Sequence, residues 1–101
     1  MHKLIALYAT PADADAFLAR YREGHLPLVA KIPGLLRVEV TQLTRTLAGV
    51  GGNFLLAEMY FADAASLKAA LKSPEAAATT VDVASFADGL ATVMTGEVLD
   101  L

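Results

Sequence analysis

Two residues combine the chemistry and the spacing that acid–base work requires: Tyr21 and His25, in the stretch "YREGHLPLVAKIPGL" from Tyr21 to Leu35. An imidazole gains and loses its proton near neutral pH, which suits a general acid or base. A phenol one helical turn earlier can hold a substrate oxygen by a hydrogen bond. Phe17, Tyr21 and His25 follow at steps of four, so they lie along one stripe of a helix. Gly24 and Pro27 interrupt that helix, and the break places His25 at the rim of a sheet. A histidine near a helix C-terminus also has a plain structural role, because the helix dipole favours its cation. Spacing alone leaves both roles open.

A second group lies on strands. In "FLLAEMYFA", Phe54–Ala62, alternation puts Phe54, Leu56, Glu58 and Tyr60 on one side and Leu55, Ala57, Met59 and Phe61 on the other. An ionised glutamate beneath packed helices is expensive, so Glu58 and Tyr60 belong to the open face, taken here as the cavity side. Glu58 has a structural alternative, an ion pair with Arg37 or a lysine. Arg37, Glu39 and Thr41 alternate with Leu36, Val38 and Val40, which reads as a polar face of solvated or pairing residues. Lys31 reads as a solvated charge.

Other chemistries lack their residues. There is no cysteine, hence no disulfide framework, thiol catalysis or cysteine metal site. His2 is terminal, no His-x-x-His pattern exists, and "ADADAF" lacks the spacing and glycine of a calcium loop. "AGVGGN" has no following Lys-Ser/Thr and lies between strands, so it is a hairpin turn and not a phosphate loop. Neither a Ser-His-Asp arrangement nor a dinucleotide fingerprint stands out, and the sequence calls for no metal or cofactor.

The elements that must position these residues follow from pattern. "KLIALYA" is a short buried strand. Thr10 as N-cap, Pro11 at the first position and Asp13 as capping-box carboxylate start a helix. Pro33-Gly34 stops the helical stretch, and two strands, Leu35–Thr44 and Phe54–Ala62, form an antiparallel hairpin. Asp63 caps the next helix, Ser73-Pro74 starts another, and "LATVMTGEVLDL" is the last strand. The order βαββαβ is a ferredoxin-like α+β fold: one domain over 1–101, a four-stranded antiparallel sheet with helices on one face.

Helices on one face leave the other bare, and a chain that is 55% hydrophobic does not leave such a face in water. A homodimer through the open sheet face covers it and encloses a cavity between or within subunits. A formal net charge of −3, with eight Lys and Arg scattered singly, offers no track for a nucleic-acid backbone. No apolar run approaches the roughly 20 residues of a membrane span, and no signal peptide is read, so the expected location is cytoplasmic.

The run "LYATPADADAFLARYREGHLPLVAKIPGL", with "AEMYFADAASLKAALKSPEAAATTVDVASFA", resembles the EthD family, named for ethyl tert-butyl ether degradation. The matching features are Leu7-Tyr8-x-x-Pro11, Phe17 with Tyr21, His25-x-Pro27-Leu28, Pro33-Gly34, Ala57-Glu58-x-Tyr60-Phe61, Ser73-Pro74-Glu75, Asp82 and Phe86-Ala87. The resemblance covers nearly the whole chain. It implies a dimeric α+β barrel, in a superfamily with cofactor-free aromatic monooxygenases, muconolactone isomerases and polyketide cyclases. It further implies a cavity between sheet and helices for a small hydrophobic or aromatic molecule. It directs attention to His25 as the reactive group and adds Tyr8 to Glu58 and Tyr60 as substrate-binding candidates.

Three readings follow. In the first, His25 acts as acid or base while Tyr21 or Tyr60 orients the substrate, giving isomerisation, dehydration or cofactor-free oxygenation. In the second, a non-catalytic accessory protein holds or delivers a hydrophobic ligand. In the third, the dimer is a structural module whose cavity is filled by its own side chains.

Overall fold

The apolar run that opens the chain forms β1 (His2–Ala9) and takes a central place in the sheet. The computed structural model describes all residues from 1 to 101. Helix α1 (Ala14–Arg20) begins later than the Thr10 cap predicts. Thr10 is still tied to the sheet, its N–H donating to the Gly52 carbonyl at 2.9 Å. The cap is Asp13, whose carboxylate accepts from the Ala16 N–H at 3.1 Å.

The predicted break at Gly24–Pro27 is absent. Helix α1 runs into a π-helical turn, Tyr21–His25, which continues as α2 (Leu26–Val29). Its wider ring is closed by Leu26 N–H donating to the Tyr21 carbonyl. In an α-helix the Pro27 ring would press on the Glu23 carbonyl, and the extra residue of the π turn removes that conflict. The helical stretch ends at Pro33-Gly34, with Gly34 at φ +79°, where a side chain would be strained.

Strands β2 (Arg37–Gln42) and β3 (Asn53–Phe61) form the hairpin. Helices α3 (Ala64–Leu71) and α4 (Pro74–Phe86) start at the predicted caps: Asp63 accepts from the Ser66 N–H at 2.8 Å and Ser73 from the Ala76 N–H at 3.1 Å. Strand β4 (Ala91–Glu97) completes a sheet ordered β2-β3-β1-β4, with every neighbouring pair antiparallel. This is the ferredoxin-like α+β arrangement. No helix is long and apolar enough to cross a membrane.

Register assigns the faces. Leu4, Ala6 and Tyr8 pair with Met59, Ala57 and Leu55 beneath the helices, while Lys3, Ile5 and Leu7 pair with Tyr60, Glu58 and Leu56 on the open side. One expectation about faces is overturned. Between Tyr8↔Leu55 and Ala9↔Asn53 the strand gains a residue, and this bulge leaves Phe54 unpaired. Its ring turns to the helix side and meets Phe17 edge to face, with centroids 5.8 Å apart. The core is therefore aromatic at the β1–α1 end. Nearer α4 it is built of small residues, with Ala6, Ala57 and Ala76 all buried.

Candidate active site

Where those alanines meet, the layers do not close. A cavity of about 210 Å³ lies between the helix side of β1 and β3, the π turn and α4, and 12 of its 15 lining residues are hydrophobic. It is smaller than the roughly 300 Å³ of a drug-sized site. It exceeds the about 150 Å³ that holds benzene in an engineered apolar cavity. The space exists within one protomer and is not filled by the chain's own side chains, contrary to the structural-module reading.

The polar groups at its wall are few. The π turn delivers Tyr21 and His25, β1 delivers Tyr8, and α4 delivers Thr79 and Thr80, whose hydroxyls donate to the Ala76 carbonyl of their own helix. The rings pack together: Tyr8 meets Tyr21 edge to face at 5.6 Å, Tyr21 lies 5.3 Å from His25, and Phe86 lies 5.4 Å from His25. His25 is only 4% exposed, so it sits under the helices and not at the rim of the sheet. The π turn, continuing the helix where a break was expected, carries it there.

His25 Nδ1 lies 2.9 Å from Asp82 Oδ2 of α4. Arg20 grips the same carboxylate with both terminal nitrogens, Nη1 to Oδ2 at 3.3 Å and Nη2 to Oδ1. Its guanidinium holds the Asp82 carboxyl below the usual carboxylate range; burial opposes this and His25 adds to it. An ionised carboxylate only accepts, so Nδ1 donates, and the neutral imidazole keeps its lone pair on Nε2.

No intramolecular hydrogen bond engages Nε2 or the Tyr8 and Tyr21 hydroxyls, yet no enclosed side-chain nitrogen or oxygen lacks a partner. These three atoms therefore reach open space, and the space their residues share is the cavity. Burial pushes the Tyr8 phenol up to about 12, with the Asp82 charge adding to it. Burial, with Tyr8 nearby, raises Tyr21 as well. Both stay neutral and can donate to an oxygen of a molecule in the cavity. The arrangement offers one base and two phenol donors in an apolar enclosure.

Of the predicted residues, His25, Tyr21 and Tyr8 come together, and Glu58 and Tyr60 do not join them. The cavity lies beneath the helices, whereas those two occupy the open face. Lys3 Nζ lies 2.7 Å from Glu58 Oε2, so the structural alternative for Glu58 describes its contacts. Tyr60 lies beneath Arg37 at 4.0 Å and Lys3 at 4.8 Å from its ring centroid. Asp82 appeared only among the residues of resemblance, and Arg20 was passed over. A cue existed, because Asp82 is the one acidic residue of α4 beyond its first turn and shares a face with Phe86, four residues on. No three His, Asp or Glu side chains converge anywhere in the chain.

Comparison with known proteins places this geometry. The EthD domain model matches residues 9–90. An uncharacterised 11.0 kDa protein in the thcB-thcC intergenic region of Rhodococcus erythropolis is 33% identical over 94 residues, covering 93% of this chain and 91% of that one. The crystal structure of an ethyl tert-butyl ether degradation (EthD) family protein from Bacillus halodurans is 41% identical, with a TM-score of 0.91 over 98% of this chain and 99% of that one. Two more distant structures share the fold. One is a dimeric protein of unknown function and ferredoxin-like fold from Bacteroides fragilis (18% identity, TM-score 0.64, 96% and 95% covered). The other is SnoaB from Streptomyces nogalater, a cofactor-independent oxygenase (13%, 0.61, 94% and 87%). With most of its length, including Tyr21, His25 and Asp82, inside the matched region, the chain belongs to the EthD family.

Proposed function

We propose that the protein is a homodimer that binds a small hydrophobic or aromatic molecule in the sheet–helix cavity and performs cofactor-free acid–base chemistry on it with His25. One observation carries this reading: His25 is held by Asp82 through Nδ1 while Nε2 is left without a partner toward an apolar enclosure. An acidic O–H or C–H of the ligand gives its proton to Nε2. The imidazolium is stabilised by Asp82, and the negative oxygen left on the ligand accepts hydrogen bonds from Tyr8 and Tyr21. Return of the proton to another atom is isomerisation, and expulsion of hydroxide is dehydration. Capture of a CH carbanion by dioxygen gives a peroxide that takes back the proton from the imidazolium and loses water to leave a carbonyl, which is cofactor-free oxygenation; the fold neighbour SnoaB is a cofactor-independent oxygenase. Glu58 and Tyr60 serve the dimer face in this reading.

The absence of lysine and arginine from the cavity wall favours a neutral ligand with one oxygen and about one ring. A mostly apolar wall also suits the second reading, an accessory protein that carries such a molecule. Turnover of a panel of phenols and enolisable ketones, compared between the protein and His25→Ala, separates the two. Loss of product with binding and dimer intact is the expected result. Normal turnover in the variant overturns the role of His25, and tight binding with no turnover in the unmodified protein points to the carrier.

A further inference from the structure

Beside the cavity, at the end of α1, Arg20 is arranged in a way that its own exposure does not explain. Its side chain is 40% exposed, yet it forms a fork-to-fork pair with Asp82, whose side chain is only 14% exposed. The Nη2 group also reaches Ser85 Oγ at 3.3 Å, and the guanidinium lies over the Phe86 ring at 4.8 Å. Ser85 Oγ in turn donates to the Asp82 carbonyl at 2.6 Å. All three partner residues belong to the last turns of α4. To reach them the guanidinium passes directly over Gly24, where a Cβ would overlap Nη1. Gly24 has no positive φ, so its backbone does not require glycine. The missing side chain is what lets Arg20 through.

We propose that Arg20 is a positioning residue for His25, fixing Asp82 and balancing its charge so that the imidazole stays a neutral base, and that Gly24 is glycine to admit the guanidinium. The inference rests on the reading that His25 works through Nε2. Asp82 Oδ2 is shared: it accepts from Arg20 Nη1 at 3.3 Å and from His25 Nδ1 at 2.9 Å. The guanidinium and the imidazole are therefore neighbours on one oxygen. An unbalanced carboxylate there would favour the imidazolium, and a cation bound to the same carboxylate opposes it. The other titratable group whose ring packs on His25 is Tyr21, with Tyr8 of β1 packed on Tyr21 in turn, and both are neutral.

The test is an NMR titration of the His25 imidazole in the intact protein and in Arg20→Met, Arg20→Lys and Gly24→Ala. It needs no substrate, so it reads the coupling even where the acid–base reading of the cavity fails. Arg20→Met should move the His25 midpoint upward by about one unit, the size of a lost neighbouring charge. Arg20→Lys should restore most of that change. Gly24→Ala should move it the same way by a smaller amount. Alanine is the better helix former and the displaced atom is the far end of a flexible side chain, so this shift cannot come from a damaged helix. An unchanged midpoint in Arg20→Met overturns the proposal for Arg20. A shift in Arg20→Met with none in Gly24→Ala overturns the role given to Gly24.

Discussion

Asp82 and His25, 57 residues apart in sequence, meet at 2.9 Å between α4 and the π turn. That contact joins α4 to the π turn over the cavity and fixes which imidazole nitrogen faces it. The functional proposal and the local fold are thus one relationship, and Asp82→Asn separates them. The amide oxygen can still accept from Nδ1, but the charge that stabilises the imidazolium is lost. Turnover should fall by about 10²-fold or more, with ligand affinity little changed.

The same substitution has a signature in acid. Arg20 lowers the Asp82 carboxyl below its usual 3.8, so the folded state holds the ionised form more firmly than the unfolded chain does. Stability from this group is present above about pH 4 and is lost as pH falls through the lowered value. Urea unfolding across the acid range should show a shallower decline for Asp82→Asn than for the unmodified protein. Equal slopes would mean that the pair contributes nothing to acid stability.

Tyr8 reports on the alkaline side with the opposite sign. Its phenol is raised from 10.0 to about 12, so between these values the unfolded chain ionises it and the folded chain does not. Stability is intact below about pH 10 and falls as pH rises toward 12, by about 1.4 kcal/mol per pH unit from this group. Tyr8→Phe should remove that component and flatten the alkaline limb. An unaltered limb would show that the hydroxyl is already in contact with bulk water.

Much of this architecture is legible in the sequence because local rules carry it. Asp63, Ser73-Pro74 and the alternating strands specify their elements without help from the rest of the chain. The failures arise where tertiary packing decides. Thr10 is a good cap in isolation, but its backbone is committed to Gly52. The bulge that turns Phe54 inward is a matter of strand register, which alternation within one strand does not reveal. The π turn needs Pro27 to be read as a demand for an extra residue and not as a break. For the site, Tyr21 and His25 were visible from one helical stripe, whereas Asp82 and Arg20 join it only through the packing of α4 on the π turn. The open face was correctly given to Glu58 and Tyr60, but the small residues Ala6, Ala57 and Ala76 put the cavity on the other side.

Those alanines make the cavity testable without touching its chemistry. Ala76→Leu places three extra carbons into open volume beside α4. Folding stability should hold or rise by up to about 2 kcal/mol, as cavity-filling changes do. Affinity for a single-ring phenol should drop by at least tenfold. A benzoate of similar size should bind poorly to both proteins, because no Lys or Arg lines the wall and the Asp82 carboxylate lies behind His25. Calorimetric titration distinguishes these cases, and strong benzoate binding would contradict the neutral-ligand reading.

Phe17 anchors the aromatic end of the core. It is 6% exposed and its ring meets Tyr8, Tyr21, Phe54 and Phe86. Phe17→Ala should destabilise the fold by about 3–5 kcal/mol in denaturant unfolding. It should also loosen Tyr21 and Phe86, which flank His25. A loss below 1 kcal/mol would mean that the surrounding rings collapse into the gap.

The open face supplies the last test, because it carries the proposed homodimer. Ile5 lies near its centre, opposite Glu58 on one side and Met94 on the other. A lysine at position 5 meets the Glu58 carboxylate within its own protomer, so Ile5→Lys is tolerated by the isolated fold. Two sheets packed face to face would instead have to bury the added ammonium in each copy, which is strongly unfavourable. Light scattering should therefore show a dimer for the unmodified protein and a folded monomer for the variant. Since the cavity is built within one protomer, that monomer should still bind the ligand. A variant that remains dimeric would move the interface to another surface and leave Lys3, Arg37 and Tyr60 as a solvent-facing cluster.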